Sequence, residues 1–225
     1  MKNICTLLSL LLVTVTLSAQ NIVTKDVGDF NELKTYDLIV VNLIQSNENK
    51  VVIKGYDAGE VQIVNKNGKL KIRMTTEKSF QGEDNYVEVY FKNIGVIDAN
   101  EGSYVVANEM ISQKQIELRA QEGATIKVGL ETTQTKIRSV TGGIVKASGI
   151  SDIIEVTLNT GGIYEGREFE GQNASVKITA AGEAEIHASQ KLDVSITAGG
   201  DVYVYGDPEV INEKRLAGGR IKRVN

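Results

Sequence analysis

From residue 97 onward, apolar and polar side chains alternate in short runs, and a small-residue pivot divides each pair of runs. Before the pivot, apolar or small residues take every second position: Ile116, Leu118, Ala120; Val156, Leu158, Thr160; Val176, Ile178, Ala180; Val194, Ile196, Ala198. Polar residues fill the positions between, such as Glu117, Arg119, Asn159, Lys177 and Ser195. A period of two with one dry side marks a half-buried β-strand. The alternation resumes after the pivot in Ala184, Ile186, Ala188 and in Val202, Val204. Each unit therefore holds two short strands bent at glycine.

The pivots Gly102, Gly123, Gly143, Gly162, Gly182, Gly200 and Gly219 recur at intervals of 21, 20, 19, 20, 18 and 19 residues. Two short strands cannot bury their apolar side alone, so each unit must stack on the next. No unit shows the 3.6-residue periodicity of helical or leucine-rich repeats, and the period is about half that of a propeller blade. The pattern predicts an all-β protein: a single-stranded, right-handed parallel β-helix over residues 97–225, with one coil for each of the pivots.

Open coil ends need covers. Residues 20–96 are expected to form an N-terminal antiparallel β cap, with strands at Tyr36–Gln45, Val51–Gly55, Val61–Asn65, Leu70–Thr75 and Tyr86–Phe91. Asn67-Gly68 is a type I′ hairpin signal, and Ser46–Asn49 is expected to turn the first strand into the second. Glu77–Asn85 reads as an exposed polar loop. At the other end, Gly206-Asp207-Pro208 and the basic residues Arg215, Arg220, Lys222 and Arg223 are expected to blunt the last edge.

Residues 1–19 read as a signal peptide: a charged start, an apolar stretch from Ile4 to Leu17, and Ser18-Ala19 at the cleavage point. That stretch is shorter than the roughly 20 apolar residues of a membrane span. Cys5, the only cysteine, would leave with it, so the mature chain is expected to have no thiolate chemistry and no transmembrane segment. Export to the periplasm, the outer cell surface or the medium follows. The formal net charge of -4, with signs interspersed, argues against nucleic acid as a partner.

Phe30, Leu33, the Lys50–Tyr56 strand (KVVIKGY), the Asn67–Ile72 hairpin (NGKLKI), the Gly-Gly coils and the closing Tyr205–Pro208 (YGDP), after an export signal, resemble the putative auto-transporter adhesin, head GIN domain family of Bacteroidota-type secreted proteins. The resemblance implies an exported β-solenoid with an adhesin-like role and carries over no catalytic residues. An auto-transporter's membrane barrel would need a further run of alternating strands, and the chain ends in its last coil.

Chemistry is sparse. His187, the only histidine, alternates with Glu183 and Glu185 on one strand, a pattern that fits metal or acid–base work and equally a solvated strand face. Asp201 and Asp207 are the other acids near this strand, yet no carboxylate cluster or nucleophile–base pair emerges. The chain is therefore read as a non-enzyme with no catalytic residue, cofactor or metal. Counted from the pivots, Tyr164, Glu185, Tyr203 and Lys222 fall at equivalent outward positions on four consecutive coils, with Tyr205 one step further. Stacked tyrosines offer rigid, amphipathic area for a sugar ring or a protein. The preferred reading is an exported, non-catalytic, adhesin-like module that contacts a surface glycan or protein. A carbohydrate-active β-helix enzyme and a self-associating envelope subunit stay open beside it.

Overall fold

The structure, a computed structural model, describes residues 21–224; the segment read as a signal peptide and Cys5 lie outside the described residues. The strands in chain order are β1 (Asn21–Asp26), β2 (Glu32–Thr35), β3 (Val40–Gln45), β4 (Lys50–Gly55), β5 (Val61–Lys66), β6 (Lys69–Met74), β7 (Asn85–Phe91), β8 (Val96–Ala99), β9 (Tyr104–Ala120), β10 (Thr125–Val140), β11 (Ile144–Asn159), β12 (Gly162–Ala180), β13 (Gly182–Ala198), β14 (Asp201–Tyr205), β15 (Val210–Ala217) and β16 (Arg220–Arg223). All of them join one sheet that coils into a β-solenoid of about seven turns. The described residues contain no α-helix, only single 3₁₀ turns at Ala58–Glu60 and Thr76–Lys78.

The long strands β9 to β13 each bend midway. The start of β9 pairs with β3 (Tyr104 with Val40), and its end pairs with β8 (Ala120 with Ala99), so one strand closes a coil and opens the next. The solenoid is therefore two-faced, with a glycine turn along one edge and a bend along the other. Parallel register stacks like on like inside it. Leu33, Ile97, Leu118, Ile137, Val156, Val176 and Val194 form one buried column. Val41, Val105, Ile126, Val145, Tyr164, Ala184 and Val202 form another on the opposite face. Burying a large aliphatic or aromatic side chain contributes about 1.5–3 kcal/mol, which is why the apolar alternation dictates the coil.

The glycine edge is a stack of type I′ turns. Glu101–Gly102, Glu122–Gly123, Thr141–Gly142 and Thr160–Gly161 have positive φ at both central positions. The N–H groups of Ser103, Ala124 and Gly143 close the turns onto the carbonyls of Asn100, Gln121 and Val140. In the Gly-Gly coils the two glycines do different work. Gly142 and Gly161 take left-handed φ of 70° and 73°, with open space where a Cβ would stand. Gly143 and Gly162 sit where a Cβ would overlap the carbonyl oxygens of Ala120 and Ser139 on the preceding coil. The sequence pivots mix both kinds: Gly102 and Gly123 are conformational, Gly143 and Gly162 steric. Part of the drift in the intervals comes from that mixing.

The N-terminal strands pair in mixed directions. Pairs β1–β4, β4–β7 and β5–β6 are antiparallel; β3–β7, β2–β6, β2–β8 and β3–β9 are parallel. The Asn67-Gly68 hairpin stands as expected, at φ of 53° and 74°. Ser46–Asn49 does not join a hairpin, because β7 lies between β3 and β4. Residues 36–45 are not one strand either. The chain reverses at Asp37 and Leu38, with φ of 58° and 63°. The buried Asp37 carboxylate holds that turn by accepting from Met74 N–H (3.0 Å), Ser79 Oγ (2.9 Å) and Phe80 N–H (3.1 Å). As a result β2 and β3 form a coil inserted between β6–β7 and β8–β9, out of chain order.

At the C-terminal end, β15 places Glu213 and Arg215 in register with the inward Val194 and Ile196. Charge at inward positions of a last strand blocks further coils from adding.

Candidate functional site

Beyond the glycine edge, alternate residues of β10 to β14 and β16 point outward. One outward column runs Lys127, Lys146, Glu165, Glu185, Tyr203 and Lys222. Tyr164 is not in it. Tyr164 pairs with Ala184, is fully buried, and belongs to the inner column. It lies two residues after Gly162, whereas Glu185, Tyr203 and Lys222 each lie three residues after their pivot, and in a strand one position of offset reverses the face. Glu165 takes the outward place that the sequence reading gave to Tyr164, and ion-pairs with Lys146 at 2.8 Å.

The other four residues do come together. Glu185 pairs across the ladder with Tyr203, and Tyr203 with Lys222. The Lys222 ammonium sits 5.4 Å from the centroid of the Tyr203 ring. One step along, Tyr205 stands opposite His187. The Tyr205 hydroxyl reaches Glu185 at 3.4 Å, and the Arg167 guanidinium lies 5.1 Å from its ring centroid. Loss of solvent, followed by the Glu185 charge, raises the Tyr205 phenol above its usual range. Near the glycine edge Asp201 receives two guanidinium bonds from Arg220, at 2.6 and 2.5 Å, which hold its carboxyl below the usual range.

Arg167 is the residue that sequence reasoning missed. Irregularities in the long-strand register fall at the bend edge: Lys127/Gly129, Lys146/Gly149, Gly166/Glu170 and Gly171/Asn173. Between the pairs Gly166–Ile186 and Glu170–His187, β12 carries three residues that β13 lacks: Arg167, Glu168 and Phe169. Phe169 turns into the core and is fully buried, so it anchors the bulge, while Arg167 and Glu168 project outward. The His187 ring meets the Arg167 carbonyl at 3.1 Å. Length in the sequence does not reveal this bulge, since the Gly162–Gly182 interval of 20 residues falls within the range of the others; it emerges only in the 19 residues of β12 and their register. Bulges of this kind re-aim side chains beside sites.

The bulge is walled on both sides. Against the C-terminal loop it borders a cavity of about 700 Å³ lined by Arg167, Glu168, Glu170, His187, Tyr205 and Asp207 among others. On its other side lies a groove of about 500 Å³ that reaches Lys146, Glu165 and Glu185. These walls set the Tyr205 hydroxyl, carboxylate acceptors and cationic donors among apolar atoms, those of Met110 and Val128 included. That mixed chemistry suits a sugar ring, which presents hydroxyls and C–H faces together. Among the described residues, no group of three or more His, Cys, Asp or Glu is placed to hold a metal ion, and no helix is long and apolar enough to cross a membrane.

Solved structures share the whole fold. A putative adhesin from Bacteroides fragilis superposes with a TM-score of 0.84 at 15% identity, covering 92% of this chain and 98% of its own. A putative adhesin from Parabacteroides distasonis gives 0.75 at 19% identity, covering 92% and 97%. A protein from the same species described as a putative lipid binding protein gives 0.71 at 14% identity, covering 92% and 98%. No curated protein matches the chain in sequence. The family model for the putative auto-transporter adhesin, head GIN domain, matches residues 29–208, and with that span the chain belongs to this family.

Proposed function

We propose that the protein is an exported, non-catalytic adhesin-like module whose regular coils are scaffold and whose contact surface is the bend edge of the C-terminal coils. Family membership supports the adhesin-like role and a location outside the cytoplasm. The observation that carries the reading is the Arg167–Phe169 bulge, which sets Arg167 beside Tyr205 and opens a cavity lined by charged side chains and Tyr205 next to the Tyr203 column. Ligand sites tend to stand where a fold departs from its own pattern, and among β9 to β13 this is the largest departure.

A glycan is the ligand that the walls favour. Tyrosine faces and hydroxyls, Glu185 and Asp207 as acceptors, and Arg167 and Lys222 as donors can serve many sugar hydroxyls at once. Asp201, the acid nearest the glycine edge, is held in a two-bond ion pair with Arg220. In a glycan-array titration, Tyr205→Ala and Tyr203→Ala are expected to weaken the bound glycans by roughly tenfold or more, the range of a contact hot spot. Tyr164→Phe, a core change, is expected to leave that binding unaltered. Equal binding by the wild type and by the Tyr203→Ala and Tyr205→Ala variants would remove the site.

A further inference from the structure

Phe80 and Leu216 stand at opposite ends of the glycine edge, and each is an exposed apolar residue amid charge mainly of one sign, with Arg73 and Lys78 the cations near Phe80 and Glu213 the acid near Leu216. Phe80 is 58% exposed and has a φ of 59°, a conformation that a bulky residue rarely adopts without outside support. The support is Asp37, whose buried carboxylate takes the Phe80 N–H. With Leu38, Glu101 and Glu122 the ring lines a cavity of about 520 Å³ at the turns of the N-terminal coils. Its setting is acidic: Glu77, Glu83 and Asp84 flank it in sequence, while Lys78 is paired to Asp57. Burial, then the charges of Asp37 and Glu122, raises the Glu101 carboxyl above its usual range, as expected for crowded acids.

Leu216 is 79% exposed and lies two residues before Gly218, the last left-handed turn of the same edge. Residues 210–224 carry five basic side chains and one acid, Glu213; Arg220 is paired to Asp201 and Arg215 to Glu213, and Lys214, Lys222 and Arg223 make up the rest of the basic excess. The two ends thus match in both respects: an apolar side chain beside a cavity in an acidic rim, and an apolar side chain in a basic rim.

We infer that the Phe80 cavity of one molecule receives the Leu216 end of a second copy, giving a head-to-tail association. Two different patches of the same chain meet, so the contact is heterologous and does not close on itself as a two-fold dimer does. Lys214, which shares the Leu216 side of β15, faces Glu101 and Glu122 across it, while the apolar residues exclude water at the centre. The inference does not rest on glycan binding, since Phe80 and Leu216 lie outside the bend-edge site.

Sedimentation of the purified protein at rising concentration tests it, with Phe80→Asp, Leu216→Asp and an equimolar mixture of the two. The wild type is expected to form species larger than a dimer, which shrink as ionic strength rises and the Debye length falls from about 10 Å at 0.1 M to about 3 Å at 1 M. Each variant alone is expected to be monomeric, since it lacks one half of the contact. Their mixture is expected to give dimers and nothing larger, because one intact cavity then meets one intact leucine end. That recovery also separates a lost contact from a misfolded chain. A wild type that stays monomeric, single variants that associate as the wild type does, or a mixture that stays monomeric would each overturn the inference.

Discussion

Gly162→Ala is expected to destabilise the protein by about 3 kcal/mol or more, the upper range for overpacking, while Gly161→Ala, one residue earlier, is expected to cost about 1–2 kcal/mol. The two residues form one Gly-Gly pair, and composition treats them alike. At Gly161 the backbone is left-handed at φ 73° with open space beyond it, so alanine pays only the conformational penalty. At Gly162 the added methyl would overlap the Ser139 carbonyl, and neither atom can swing aside, because both belong to ladder backbone. Chemical denaturation of the two variants checks the ordering. Equal losses would mean that the glycine repeat is conformational alone.

Tyr164 carries the second large effect. Its ring occupies the inner column between Val145 and Ala184 and reaches over Gly166, where a Cβ would overlap the ring and hydroxyl. The hydroxyl is buried without a hydrogen-bond partner, and burial drives its ionisation far above the usual range. Tyr164→Phe removes the unmet polar group and keeps the ring, so a gain of about 1 kcal/mol is expected. Tyr164→Ala leaves a ring-sized hole in a parallel stack and is expected to lose about 3–5 kcal/mol. Thermal or denaturant melts read both. A destabilised Phe variant would show that the hydroxyl has a partner after all, such as a buried water.

The coil was legible because it depends on local alternation that stacking can only repeat. Ile116, Leu118, Val156, Val176 and Val194 point inward as their parity requires. The errors have separate causes. Tyr164 obeys parity: Gly162 stacks on Gly182, and Tyr164 lies two residues past its pivot where Glu185 and Tyr203 lie three past theirs, so one place of offset put it on the wrong face. Asp37 and Leu38 were read as strand because Leu38 gives no turn signal and Asp37, a residue that tolerates a left-handed turn, has no glycine beside it; the three bonds to the Asp37 carboxylate that stabilise the turn come from residues 74–80. The insertion of β2–β3 between β6–β7 and β8–β9 depends on long-range pairing, which no window of sequence displays. The bulge behaves likewise: Phe169 looks like any strand aromatic until its burial shows that it anchors a loop. Of the candidate face, Tyr203, Tyr205, Glu185 and Lys222 were found by column counting, whereas Arg167 and its cavity required the register shift.

The reading of the molecule as an inert scaffold with one contact edge is tested most directly by following backbone amide shifts while a bound glycan is titrated in. Shifts are expected to cluster at residues 167–170, 185–187 and 203–207, with the glycine edge and the N-terminal coils silent. Shifts centred on the N-terminal strands, or spread evenly along the coils, would contradict it.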